Sequence, residues 1–278
     1  MCVMAPSPTP DPGNGARRLP AGRKAELAEF VAQAGEVTVA QLAERFDVSA
    51  DTIRRDLDAL DADGVVVRTH GGAVSTSAVP RPDTGVEVRL RLRTAAKERI
   101  GVLAASLVRD GAALLINAGS TTLSLARALS DHRELTVATN NLRIAAEMSP
   151  SVYRDLYVLG GAIRPSAQAT FGPVRFAAWS DGPEIDIRCD LAFIAVGAVS
   201  VTDGFSTSNV TEASMMSDMM DRAERVVVLA DSSKFGRRLF ATVAELDRAD
   251  VLVTDADPPA DLRDALTAAG VEVKVASA

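Results

Sequence analysis

The sequence predicts an α/β protein built from an N-terminal winged helix-turn-helix and a larger, Rossmann-like domain with a mainly parallel sheet. Two observations support this fold class. Residues 22–73 contain short amphipathic helical patterns, a tight connection and a strand that ends in a glycine pair. From residue 95 onward, continuous apolar runs alternate with helical patterns, which is typical of parallel strands covered by helices on both faces.

The helices of the N-terminal part follow from apolar spacing. Gly35 ends the first helix, and Ser49 caps the third because its hydroxyl can accept an orphan backbone N–H. Val65–Arg68 predicts a strand, and Gly71 with Gly72 predicts a turn. The apolar positions are Leu27, Phe30 and Val31 in the first helix, Val39, Leu42 and Phe46 in the second, and Ile53, Leu57 and Leu60 in the third.

The C-terminal part predicts an open parallel sheet. Its candidate strands are Ala113–Asn117, Leu135–Thr139, Leu156–Leu159, Leu191–Val196, Val226–Ala230, Val251–Thr254 and Val271–Val275. The helical patterns between them are Ala96–Val108, Thr121–Leu129, Glu212–Arg222 and Ala260–Ala268. The domain boundaries follow: residues 1–20 are a flexible tail, 21–75 the winged helix-turn-helix, 76–93 a linker and 94–278 the α/β domain.

The composition is that of a globular chain. The 278 residues carry a net charge of −7 and 47% are hydrophobic, so a sizeable core can form. An acidic total excludes a histone-like packager but not site-specific DNA binding, which needs only a local basic face. Cys2 and Cys189 are far apart, and no metal or cofactor motif is present. Without an apolar run long enough for a signal peptide or a membrane span, we expect a cytoplasmic protein with no membrane partner.

The third helix has the pattern of a DNA-recognition helix. Arg55 lies about 200° around the helix from Ile53, and Arg54 lies on the flank, so both arginines point away from the core. An arginine fork suits phosphate oxygens and guanine edges alike, although a solvated face has the same pattern. The candidate DNA-contacting residues, with the capping serine included, are Thr38, Ser49, Thr52, Arg54, Arg55, Arg68 and His70.

Small and polar residues follow several of the predicted strands. Residues 118–122 begin a helix with the sequence Ala-Gly-Ser-Thr-Thr, and the free N–H groups and dipole of a helix start favour phosphate. Residues 231–236 follow another strand and include Lys234, which can neutralise a phosphate as a point charge. An ordinary capped turn and a surface lysine are the alternatives. The convergence of such strand ends, with residues 139–141 and 160–161, favours a ligand site.

The N-terminal residues resemble the DNA-binding domain of the DeoR family of bacterial regulators. The resemblance rests on a Ser-x-x-Thr-Ile-Arg-Arg-Asp-Leu core at residues 49–57 and an Arg-x-His-Gly-Gly-Ala wing at residues 68–73. It implies that Thr52, Arg54 and Arg55 contact operator DNA, with Arg68 and His70 in support.

The C-terminal residues resemble the effector domain of the same family, which is similar to ribose-phosphate isomerase and glucosamine-phosphate deaminase folds. Lys97, residues 190–197 and Gly204 are among the matching positions. The resemblance implies that a phosphorylated sugar or similar metabolite binds at the strand ends. The implied effector-binding residues are Asn117, Gly119, Ser120, Thr121, Thr122, Asn140, Gly161, Glu212 and Lys234.

Two features depart from the family pattern. Asn117 stands where the family usually has an acid, so hydrogen bonding is kept and a charge is lost. A methionine-rich helix replaces basic residues common in relatives, which indicates core or subunit packing. These methionines are Met215, Met216, Met219 and Met220.

Two functions remain open on this basis. The first is an oligomeric transcriptional regulator, usually a repressor of carbohydrate-catabolism genes, whose operator binding a phosphorylated sugar relieves. The alternative is a sugar-phosphate isomerase or deaminase with a fused DNA-binding head. That enzyme needs a general base, for which Glu212, Asp190 and Asp231 are available, and the lost acid at position 117 weighs against it.

Overall fold

The computed structural model describes residues 20–78, 84–174, 176–177 and 184–277. The chain divides into two compact units, Met1–Ser75 and Thr76–Ala278. Nearly all of the predicted tail, and Cys2 with it, lies outside the described residues. In the described part of the chain, no helix combines the length and the apolar character needed to cross a bilayer.

The first unit is a small helical domain closed by a three-stranded sheet of order β1-β3-β2. Both pairings are antiparallel. A Cβ on Gly72 would lie 1.9 Å from the Val37 carbonyl oxygen, so glycine is what lets the third strand approach the first. Its elements are α1 (Pro20–Ala34), β1 (Glu36–Thr38), α2 (Val39–Phe46), α3 (Ala50–Ala62), β2 (Val66–Arg68) and β3 (Gly72–Ser75).

The core of this unit contains most of the apolar positions that the helical spacing predicts, with Phe30 and Phe46 only partly buried against it. Leu27, Leu42, Ile53 and Leu57 are completely buried. The winged helix-turn-helix is therefore confirmed, with β1 and β3 as additional strands. Gly72, which the sequence predicted in a turn, starts β3 instead, because it pairs with Thr38 of β1.

The second unit contains a seven-stranded sheet of order β17-β16-β14-β11-β4-β5-β6, in which every neighbouring pair is parallel. Its strands are β4 (Ala113–Ile116), β5 (Leu135–Thr139), β6 (Tyr153–Val158), β11 (Cys189–Ala195), β14 (Ala223–Leu229), β16 (Val251–Thr254) and β17 (Glu272–Val275). The Rossmann-like, mainly parallel fold is therefore confirmed.

Helices cover both faces of this sheet. One apolar cluster joins α5, α6 and α7 to residues such as Leu114 and Phe193, and the other joins α8 and α9 to their neighbours Leu115 and Ile194. This alternation explains why the strands are continuous apolar runs. The helices are α4 (Val86–Arg91), α5 (Thr94–Ala105), α6 (Ser120–Ala128), α7 (Leu142–Glu147), α8 (Val210–Met220) and α9 (Ala260–Ala268).

Short antiparallel strands complete the second unit beside the main sheet. They are β7 (Ala162–Arg164), β8 (Ala169–Phe171), β9 (Phe176–Ala177), β10 (Glu184–Ile185), β12 (Ala198–Ser200), β13 (Gly204–Thr207) and β15 (Ala241–Ala244). Helix α4 lies within the segment predicted as a linker. Val86 at its start is buried, and the Val86 N–H donates to the Ser166 carbonyl at 2.8 Å.

Candidate functional site

The start of α3 is organised by hydroxyl caps. The Ser49 side chain accepts from the Thr52 N–H at 3.2 Å, and the two hydroxyl oxygens lie 2.9 Å apart. Thr38 caps α2 in the same way and accepts from the Gln41 N–H at 3.2 Å. These caps satisfy orphan donors and fix where both helices begin. Contacts from these three hydroxyls to DNA stay a prediction.

Helix α3 buries one face and exposes its arginines. Ile53 and Leu57 are fully buried, whereas Arg54 and Arg55 are exposed. Arg54 forms an ion pair with Asp51, with Nη1 and Oδ1 2.6 Å apart. The arginines therefore lie on the exposed side of the helix, as the helical wheel indicates, and their contact with DNA stays a prediction.

A buried ion pair that the sequence did not single out attaches α3 to α1. Arg23 Nε donates to Asp56 Oδ2 at 2.6 Å, and Nη2 donates to Oδ1 at 3.3 Å. The Asp56 side chain is only 7% exposed. This bidentate, part-buried ion pair links α3 to α1.

Arg68 braces the wing against α3. Its Nε donates to Asp58 Oδ1 at 3.0 Å, and its Nη1 donates to the Gly72 carbonyl at 2.8 Å. His70 is exposed in the turn between β2 and β3. The support that Arg68 and His70 are implied to give to the DNA contact stays a prediction.

The second unit contains a cavity of about 360 Å³ where the parallel strands β4 and β11 end. The carboxyl edge of a parallel sheet is where open α/β folds bind ligands. Five of the predicted effector-binding residues line this cavity: Gly119, Ser120, Thr121, Glu212 and Lys234.

The start of α6 is open to this cavity. Gly119 is the N-cap, and no side chain in the described part of the chain caps the helix. A Cβ at position 119 would lie 2.7 Å from the Ala195 Cβ, so glycine allows the turn to close against β11. Ser120 and Thr121 of the first turn line the cavity wall. Uncapped N–H groups at a helix start are suited to an anion.

Cationic side chains dominate the rest of the cavity wall. Burial lowers the pKa of Lys97 to about 8 and that of Lys234 to about 8, and in both cases the Asp231 carboxylate counteracts part of this effect. Burial also lowers the pKa of Arg89, against the field of Glu212. The cations lining the cavity are Arg89, Lys97, Arg164, Lys234 and Arg237, and the lining acid is Glu212.

Helix α4 carries Arg89, and Lys97 holds this helix beside the cavity. The Lys97 ammonium donates to the Arg89 carbonyl and, at 2.5 Å, to the Leu92 carbonyl. Because Lys97 is only 4% exposed, these bonds hold the last turn of α4 against α5. Sequence reasoning noted Lys97 as a matching position and assigned it no role.

Ion pairs and a hydrogen bond hold the segment that carries Lys234. Arg93 Nη2 lies 2.9 Å from Asp255 Oδ2, and Arg93 Nε lies 3.0 Å from Asp231 Oδ1. The Asp255 carboxylate also accepts from the Ser232 N–H at 2.6 Å. These contacts hold the turn after β14 in place, and Lys234 of the same turn lines the cavity.

Four predicted effector residues do not line the cavity. Asn117 bonds the backbone of Ala195, and Asn140 accepts from the Ala118 N–H at 2.7 Å. The Thr122 hydroxyl donates to the Asn117 carbonyl at 2.8 Å. Gly161 lies against the Phe171 carbonyl, which a Cβ would meet at 2.3 Å. The structure thus gives these residues packing and hydrogen-bonding roles around the site.

Arg89, Arg164 and Arg237 line the cavity although sequence reasoning missed them. Arg164 comes from the β7–β8 hairpin, where its guanidinium lies 4.6 Å from the centre of the Phe171 ring. Arg89 comes from a helix and Arg164 from a hairpin, neither of them the turn directly after a predicted strand, so the strand-end pattern could not find these two. The Ser-Ser-Lys-Phe-Gly-Arg sequence at 232–237 was the one available signal for Arg237.

Of the three acids available to an enzyme, two are already engaged. Asp190 Oδ2 accepts from the Ala113 N–H at 2.6 Å, and Asp231 is paired with Arg93. Glu212 lines the cavity and accepts from the Thr207 hydroxyl at 2.7 Å. The side chains that line the cavity are therefore better suited to binding an anion than to transferring protons.

A winged helix-turn-helix and an α/β unit with a cationic cavity, in one chain, define a DNA-binding transcriptional regulator with a sensor domain. The model of the DeoR C terminal sensor domain matches residues 92–256, and that of the DeoR-like helix-turn-helix domain matches residues 23–79. The chain belongs to the DeoR family. The resemblance seen in the sequence is confirmed.

Similar proteins include named regulators. The HTH-type transcriptional regulator GlpR of Haloferax volcanii is 32% identical over 255 residues, which cover 92% of this chain and 97% of that protein. The HTH-type transcriptional repressor CsqR of Escherichia coli K12 is 30% identical over 253 residues, covering 90% and 94%. The glycerol-3-phosphate regulon repressor of the same strain is 29% identical over 241 residues, covering 87% and 93%.

Among solved structures, ribose 5-phosphate isomerase from Plasmodium falciparum is 9% identical, with a TM-score of 0.36 over 50% of this chain and 52% of that one. A likeness of this size carries no argument about activity.

Proposed function

We propose that this protein is a transcriptional repressor that binds operator DNA through α3 and the β2–β3 wing and releases it when a phosphorylated sugar fills the cavity. The observation that carries the proposal is the uncapped start of α6 in the same cavity as Lys97 and Lys234. A helix start and two ammonium groups together attract a phosphate dianion more strongly than either alone.

The neighbouring side chains support a sugar as the rest of the ligand. Hydroxyl and amide groups of Thr207, Ser208 and Asn209 line the cavity beside Glu212. Groups of this kind donate to and accept from sugar hydroxyls. One relative is named as the repressor of a glycerol-3-phosphate regulon, which supports a phosphorylated metabolite as the ligand class.

The response to ligand would be a shift of population between two states. If the operator favours one arrangement of the chain and the phosphorylated sugar favours another, each ligand weakens the other by the same coupling free energy. An operator with two half-sites needs two recognition helices, so we infer a homo-oligomer, a dimer or larger. The cytoplasm, where such metabolites and DNA meet, is the inferred location.

Fluorescence anisotropy tests both halves of the proposal. The labelled DNA is the region upstream of the protein's own gene, titrated at fixed salt with the full chain and then challenged with a panel of sugar phosphates. We expect tight binding that one compound reverses at micromolar concentration. Binding no tighter than to random DNA, or binding that no phosphorylated compound affects, would contradict the proposal.

The variant Lys234→Ala locates the ligand within the protein. It should bind operator as the parent does but need at least about tenfold more sugar phosphate for release, because a buried charge–phosphate contact is lost. Lys274→Ala is the matched control, since it removes the same charge from β17, where Lys274 pairs with Glu272. Equal responses of parent and Lys234→Ala would place the phosphate elsewhere.

A further inference from the structure

Asp51 is an acid in the first turn of α3, on the surface assigned above to DNA. Its side chain is 75% exposed, and that of its partner Arg54 is 55% exposed. Phosphates repel a carboxylate, so an acid at this position weakens binding unless it faces the bases. Ser49 already caps the helix, so Asp51 is not needed as the cap.

We propose that Asp51 and Arg54 act as one unit that reads a single G·C base pair in the major groove. The inference rests on the proposed DNA-binding function and assigns specificity to a residue, Asp51, that the sequence pattern did not mark. The two residues lie three positions apart on one helix face, with Arg54 Nη1 2.6 Å from Asp51 Oδ1.

The hydrogen-bonding groups of the pair match those of a G·C edge. Guanine presents two acceptors, N7 and O6, and its paired cytosine presents one donor, the N4 amino group. Arg54 uses one of its five N–H donors on Asp51 and keeps the others for N7 and O6. Asp51 keeps lone pairs to accept from N4. An A·T pair would set the adenine amino donor against the arginine, which is unfavourable.

The ion pair also prepares Arg54 for this contact. A free arginine loses side-chain entropy when it binds a base, whereas the bond to Asp51 restricts the guanidinium before DNA arrives. Among the described residues Arg55 forms no ion pair, so it is the better candidate for a phosphate or a base read alone. Loss of Asp51 should therefore change base preference rather than remove DNA binding.

Selection from a random DNA pool tests this with the full-length chain. The parent should enrich a motif that contains a required G·C pair. Asp51→Ala and Arg54→Ala should each reduce the preference at that same pair by about tenfold, the size of one good base contact. Asp63→Ala is the control, because it removes the same charge from the exposed C-terminal end of the same helix and should leave the motif unchanged.

The outcomes separate this inference from the function on which it rests. A parent that enriches no motif would overturn the proposed function together with the inference. A parent that enriches a motif which Asp51→Ala leaves unaltered would overturn the inference alone. The inference alone would also be overturned if Asp51→Ala and Arg54→Ala altered the preference at different base pairs. If Asp51 only stabilises α3 through the helix dipole, its replacement lowers the melting temperature of the protein and leaves the base preference unchanged.

Discussion

Asn117 and Ala195 exchange two hydrogen bonds between the ends of neighbouring parallel strands. The Asn117 amide donates to the Ala195 carbonyl at 2.9 Å, and its side-chain oxygen accepts from the Ala195 N–H at 2.8 Å. The bonds join the end of β4 to the end of β11, beside the cavity wall formed by Gly119 and Ala195. A side chain that both donates and accepts is needed here, which accounts for an amide at this position.

The first prediction is that Asn117→Asp destabilises the second unit by about 1–3 kcal/mol, because a carboxylate cannot donate to the half-buried Ala195 carbonyl. Urea denaturation measures the change. Asn209→Asp is the matched control, since Asn209 caps α8 by accepting from the Glu212 N–H at 3.0 Å, which aspartate also does. Equal stabilities for the Asn117→Asp variant and the parent would contradict the role of the amide as a donor.

The sequence predicted the elements with strong periodicity or continuous apolar runs. Leu135–Thr139, Val251–Thr254 and Ala260–Ala268 have the bounds expected for them. The strand expected at Leu156–Leu159 instead begins at Tyr153, because β6 is an edge strand whose exposed residues break the apolar run. The three-residue strands β1 and β7 were missed, since so short a stretch without a continuous apolar run has no readable alternation.

The candidate-site residues that directly follow a strand could be predicted from the sequence. Those that tertiary packing brings to the cavity could not. Gly119, Ser120 and Thr121 were found because a small, polar turn follows a buried strand. Arg164 was not, because it reaches the cavity from a hairpin whose position depends on tertiary contacts. Asn140 looked like a ligand group, but its amide serves the backbone of neighbouring loops, a use that sequence cannot distinguish.

The second prediction concerns Arg93, which holds two buried acids near Lys234. The Asp231 and Asp255 side chains are 2% and 7% exposed. Arg93→Ala would remove the guanidinium that pairs with both, leaving Asp231 only the fields of Lys97 and Lys234, and breaking such a buried pair costs about 3–5 kcal/mol. We expect a matching fall in unfolding free energy and weaker sugar-phosphate binding. Arg109→Ala, which removes an exposed arginine of the same unit, should change neither.

The third prediction is that Arg55→Ala lowers operator affinity by about tenfold or more while the protein stays folded, because Arg55 is exposed and its loss leaves no cavity. Anisotropy titration measures the affinity, and circular dichroism confirms the fold. Arg109→Ala again controls for the loss of one positive charge. An operator affinity equal to that of the parent would reject α3 as the recognition helix.

The fourth prediction is that sugar-phosphate binding takes up protons near pH 8. Because burial lowers the pKa of both Lys97 and Lys234 to about 8, each lysine is partly neutral in the empty cavity at that pH. A phosphate dianion favours the charged ammonium and raises both pKa values, so binding draws in up to about one proton in total at pH 8. Affinity should therefore be highest below pH 8 and fall as the pH rises above it.

Calorimetry in two phosphate-free buffers with different ionisation enthalpies measures this uptake, because the difference between the observed heats gives the number of protons bound. Uptake should shrink towards pH 7, where both lysines are already charged. Lys234→Ala should lose at least half of the uptake seen at pH 8, because without the Lys234 charge the pKa of Lys97 is also higher. The proton uptake cannot come from the phosphate. Its second pKa is about 6, so the phosphate is already a dianion at pH 8. Binding without proton uptake between pH 7.5 and 9 would show that the ligand does not reach the two lysines.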